Sequence, residues 1–116
     1  MENGNATLTW GDFMKVEMRV GTVVGAESFP EARNPSYKLT IDFGELGMRR
    51  SSAQITKLYA PEDLVGRQVV AVVNFPPKQI ANMMSECLVL GSIGDDPREI
   101  TLLAPDREVK NGLRIG

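Results

Sequence analysis

Residues 37–43 constrain the fold of this chain more than any other stretch: Tyr37, Leu39, Ile41 and Phe43 fall on one side, and Lys38, Thr40 and Asp42 on the other. Side chains alternate across a strand with period two, so this pattern specifies a half-buried strand. Gly44-Glu45-Leu46-Gly47 supplies a turn, and Met48 to Ile55 returns as the second arm of a hairpin. Upstream, Pro30 to Pro35 is a turn region, and Glu17 to Ala26 is rich in β-branched residues with glycines at 21 and 25. Glycine inside a strand marks a bulge or bend, which the strongly curved first strand of a small barrel requires.

The remaining segments extend this pattern. Val69 to Val73 reads as a strand buried on both sides. Leu88 to Ile93 and Ile100 to Leu103 supply two more strands, separated by a turn at Gly94-Asp95-Asp96-Pro97. Helix is sparse. Thr9, with Asp12 three residues later, caps a short helix over about 10–15 that ends near Val16. Pro61, Glu62, Asp63 and Gly66 frame a second short helix between the third and fourth strands. Five or more curved strands with that helical insertion predict an all-β fold, a five-stranded OB-type barrel with short helices and terminal extensions. Residues 1–8 are expected to form a flexible tail and 9–116 a single domain, since 116 residues suit one core.

Composition narrows the chemistry. Histidine is absent and Cys87 is the only cysteine. That removes His-based triads, Cys-His dyads, the usual zinc sets and any intrachain disulfide. No acidic spacing resembles a calcium loop, and no glycine-rich phosphate loop is present, so no metal, cofactor or catalytic group is expected. The longest apolar run, Val69 to Val73, is far short of the ~20 residues that span a bilayer. The N-terminus lacks a basic start and apolar segment, so a cytoplasmic location is expected. Net charge is −2 and the pI is near 5.1, which weighs against nucleic-acid binding. The charge is uneven, however: residues 33–78 carry seven Lys/Arg against four acids, while both flanks are acidic. A basic face on an acidic body is compatible with these sums.

Four segments in order carry a resemblance. They are Asp12-Phe13-Met14-Lys15-Val16-Glu17-Met18-Arg19-Val20-Gly21, Ala32-Arg33-Asn34-Pro35-Ser36-Tyr37-Lys38-Leu39, Ser51-Ser52-Ala53-Gln54-Ile55-Thr56, and Val72-Val73-Asn74-Phe75-Pro76-Pro77-Lys78-Gln79-Ile80. Together they resemble the tRNA-binding domain family, in its chaperone-like CsaA branch, from about Phe13 to Ile115. The wider family typically has Ser-Glu-Gly-Met where this chain has Ser85-Glu86-Cys87-Leu88, a departure that points to the CsaA branch. The resemblance implies an OB barrel, a homodimer built by the chain termini, and binding of structured tRNA or of unfolded preprotein chains.

Candidate site residues follow from both sources. An OB barrel binds ligands across its second and third strands and adjoining loops. Arg33, Lys38, Arg49 and Arg50 suit phosphate neutralisation, while Asn34, Ser52 and Gln54 suit hydrogen bonding to bases or sugars. Alternation puts Arg49 and Arg50 on opposite faces, so one of them at most meets a given ligand. Lys78 and Gln79 are placed on the groove rim or in a plain turn, and Phe75 in the core in preference to a stacking role. Ser85 and Glu86 have no base beside them and are not catalytic; the resemblance places the pair near the groove, fixing its loop. Met83 and Met84 with Ile80 form an apolar cluster, either core filling or a surface for exposed apolar segments. Cys87 is expected to pack as a small apolar residue, and Trp10 to anchor the first helix or a subunit contact. Leu102, Leu103, Val109, Leu113 and Ile115 are expected at a dimer interface, with an extension wrapped on its own barrel as the alternative.

Overall fold

The computed structural model describes residues 6–116; residues 1–5 of the expected tail lie outside the described part. A short helix α1 (Trp10–Lys15) precedes the strands β1 (Met18–Ser28), β2 (Tyr37–Asp42) and β3 (Met48–Ala53). Then come helix α2 (Pro61–Leu64) and strands β4 (Gln68–Val72), β5 (Lys78–Ile80), β6 (Met83–Ser85), β7 (Leu88–Val89), β8 (Gly91–Ile93) and β9 (Ile100–Leu102). The main sheet is antiparallel with order β3-β2-β1-β4-β7, and β5-β6 and β8-β9 form separate hairpins. The segment 86–87 runs back along β3, where Glu86 N donates to the Arg50 carbonyl and Ser51 Oγ to the Cys87 carbonyl. That seam nearly closes the sheet into a five-stranded OB barrel.

The alternation in β2 does what its pattern specifies. Tyr37, Leu39, Ile41 and Phe43 enter the core, joined by Val69, Ala71 and Val73 from the fourth strand and its end, by Val23 of β1 and by Leu64 of α2. Val70 and Val72, on the other face of β4, are also buried, as a strand covered on both sides requires. Strand β1 pairs with β4 through its first half and β2 through its second, and the register slips between Val23 and Gly25. Gly21 faces inward, where an added Cβ would lie 2.6 Å from Ile41 Cγ2. The Thr9 cap forms as expected, Thr9 Oγ1 accepting from Asp12 N at 3.1 Å; at α2, Asp63 Oδ2 accepts from Ala60 N at 3.0 Å.

Two segments depart from the sequence expectation. Leu88 to Ile93 is two strands, because the chain changes partners at Leu90: its N–H donates to Val70, while its carbonyl accepts from Leu103. Residues 78–85, expected to form a turn and an apolar insertion, form the β5-β6 hairpin. The C-terminal segment lies along the free edge of β1. Val20 N donates to Leu113 O, Gly112 N to Val20 O, and Ile115 N to Met18 O. The extension therefore wraps its own barrel, with Leu113 left exposed.

Candidate functional site

A groove of about 550 Å3 opens between the 29–36 loop and the β5-β6 hairpin, across the end of β3. The loop supplies Arg33 and Asn34, and the end of β3 and the residue after it supply Ser52 and Gln54. The hairpin supplies Lys78, Gln79 and Ser85. The loop is folded by its own bonds, with Phe29 N donating to Ser36 O and Ser36 Oγ to Asn34 O. Buried Phe29 pins its start. The hairpin is tethered to β3 by two acceptors: Ser85 Oγ accepts from Ser52 N at 3.2 Å, and Glu86 Oε1 from Arg50 N at 2.9 Å. The Ser85-Glu86 pair thus fixes the loop beside the groove.

Among the described residues, no carboxylate lines this groove. Among the described residues, Arg33 and Lys78 are exposed and have no acidic partner within ion-pair distance. The site accordingly offers two cations and a row of amide and hydroxyl groups on a protein that is acidic overall.

The other four candidate residues lie outside the groove lining. Lys38 sits opposite Ser52 in register but is committed elsewhere, 3.6 Å from Glu27 and over the Phe29 ring at 5.0 Å from its centroid. Arg49 points to the barrel end and donates to the Val73 carbonyl at 2.9 Å. Arg50 is exposed on the opposite face of β3, as alternation requires, and Glu86 serves as the tether.

Phe75, expected in the core, is 56% exposed, in the loop between β4 and β5 where two prolines follow it. Met83 is buried while its neighbour Met84 is exposed, so hairpin alternation splits the expected methionine cluster. Cys87 is buried, and burial pushes its thiol up to about 11. Trp10 is 84% exposed, with Phe13 of its own helix edge-on at 6.5 Å, so it does not anchor α1 to the barrel. Sequence reasoning missed Lys57 and Arg98, which line an adjoining cleft; Arg98 stands in an Asp-Asp-Pro-Arg run read only as a turn.

Residues 18–114 match the family model described as "Putative tRNA binding domain". The chain belongs to the tRNA-binding domain family. Within it the chain is CsaA-like. The chaperone CsaA from Bacillus anthracis is 54% identical, aligned over 96% of this chain and 100% of that one, with a TM-score of 0.90. The CsaA chaperone protein from Picrophilus torridus is 46% identical over 95% of this chain and 100% of its own, with a TM-score of 0.88. Methionine–tRNA ligase 1 of Sorangium cellulosum is 40% identical over 92% of this chain. This tRNA-binding domain spans only 15% of that ligase.

Proposed function

We propose that this protein binds structured RNA of the tRNA class in the groove between the 29–36 loop and the β5-β6 hairpin, as a binding module rather than an enzyme. The observation that carries the reading is the acid-free groove holding the unpaired cations Arg33 and Lys78 beside Asn34, Ser52, Gln54 and Gln79. Cations neutralise phosphates and fix the backbone, while amides and hydroxyls meet base edges and 2′-hydroxyls. Lys38, Arg49 and Arg50 act in this reading by shaping the barrel or extending the field around it. Residues 9–116 form the working domain, in the cytoplasm, where tRNA is found.

Dimerisation belongs to the same proposal. Leu8, Trp10 and Met14 are 65%, 84% and 56% exposed, and a hollow of about 470 Å3 opens beside Trp10, Phe13 and the C-terminal Gly116. Exposed apolar side chains beside such a hollow suit a second copy of the chain, which would set two grooves in twofold relation.

An unfolded polypeptide is the second reading. Leu88 lines the groove and is 48% exposed, and proteins called chaperones stand among the similar structures. Fluorescence anisotropy of labelled, unfractionated tRNA separates the two. Arg33→Gln and Lys78→Gln are each expected to weaken binding, and a denatured polypeptide to compete poorly. No tRNA binding at low salt, with tight binding of the polypeptide, would replace the first reading with the second.

A further inference from the structure

Beyond Gln54 the groove continues into a second cleft of about 500 Å3 that shares Asn34 and Gln54 with it and is otherwise lined by Pro35, Thr56, Lys57, Pro97 and Arg98. Lys57 follows β3, and Arg98 stands on the β8-β9 turn. The two are brought together by one carboxylate. Asp96 Oδ2 accepts from Lys57 Nζ at 2.7 Å and from Arg98 Nη2 at 2.8 Å, while Asp96 Oδ1 accepts from Arg98 N and Nε. Glu99 adds a longer contact to Lys57 at 3.5 Å.

Exposed ion pairs of this kind contribute little to stability. Their geometric effect is larger, because Asp96 locks both cations at the cleft and removes the rotamer freedom that binding would otherwise have to remove. Arg98 spends Nε and Nη2 on Asp96, which leaves Nη1 for a ligand, and its side chain is 76% exposed. A planar guanidinium held on one edge and open on the other is suited to a phosphate oxygen.

We propose that this cleft is a second phosphate subsite, taking a backbone phosphodiester of the strand that leaves the main groove over Asn34 and Gln54, with Arg98 as its principal ligand and Lys57 beside it. The proposal rests on the RNA-binding reading of the main groove and extends the contact surface from the OB groove onto the C-terminal hairpin.

The test is the salt dependence of affinity for unfractionated tRNA, measured on the full chain and on Arg98→Gln, with Arg107→Gln as a charge-matched control. Arg107 is 84% exposed and lines neither cleft. Each phosphate contact contributes about 0.7–0.9 to the slope of log affinity against log salt. Arg98→Gln is expected to reduce the slope by that amount and to weaken binding roughly five- to eightfold at about 0.1 M salt, and Arg107→Gln to leave the slope unchanged. An unchanged slope in Arg98→Gln, or an equal loss in Arg107→Gln, overturns the subsite. If the parent protein binds tRNA but Arg98→Gln behaves as the parent, only the subsite fails; if the parent binds no tRNA, the reading of the main groove fails with it.

Discussion

Ser51 ties the site to the core. Its hydroxyl is buried on β3 and donates to the Cys87 carbonyl at 2.9 Å, a side-chain bond within the seam on which the groove rests. Ser51→Ala leaves that carbonyl without its donor and is expected to cost about 1–3 kcal/mol. Urea unfolding checks this, with the midpoint lowered and the slope preserved. Gly21 is needed for a different reason. A methyl there meets Ile41 and Phe43, both 0% exposed, so Gly21→Ala is expected to destabilise by about 1–3 kcal/mol through overpacking. Cys87 holds its proton to higher pH in the fold than in the unfolded chain, from an ordinary 9.0 to about 11. Between those values the folded state binds more protons, so this contribution is present below pH 9.0 and is lost as pH rises through about 11. At neutral pH the native thiol is expected to resist iodoacetamide and to react fully once urea unfolds the chain.

The β5-β6 hairpin forms one wall of the groove and is tied to β3 through Ser85 and Glu86. Replacing its Glu86 tether in Glu86→Ala is expected to raise amide exchange across 78–86, weaken tRNA binding, and leave the β1-β2-β4 amides protected. The β8-β9 turn behaves differently with pH. Hydrogen bonds from Arg98, then from Lys57, hold the Asp96 carboxyl well below its ordinary 3.8. A lowered value means the latch is in place above that ordinary pH and is lost only as pH falls through the depressed one. The Arg98 amide, which donates to Asp96 Oδ1, is therefore expected to keep its chemical shift down to about pH 4.

Legibility in the sequence divided along the same elements. Strand β2 was readable because one face is fully buried, and β1 because Gly25 marks the bulge. The β5-β6 hairpin was not: its two-residue loop is Ala81-Asn82, with Ala81 at φ 50° where a glycine would ordinarily signal the turn. Seven of the eleven candidate site residues line the groove. Lys38 and Arg49 do not, because a charged residue type announces neither the ring nor the carbonyl that engages it. Arg98 was hidden because only the fold brings its turn against the segment after β3.

The whole molecule joins an acidic body to one acid-free groove and leaves an apolar end around Trp10. If that end pairs two copies, the protein sediments as a dimer at micromolar concentration, and Trp10→Glu shifts it to monomer with its near-ultraviolet spectrum otherwise native. Pairing doubles the number of grooves a single tRNA meets, so the monomeric variant is also expected to bind tRNA more weakly.

The most direct measurement is the slope of log tRNA affinity against log salt for the parent and for the Arg33→Gln/Lys78→Gln double variant. The expected result is a steep linear fall for the parent and a slope smaller by about 1.4–1.8 for the variant, the loss of two phosphate contacts. A parent affinity indifferent to salt, or a double variant with the parental slope, contradicts RNA binding in this groove.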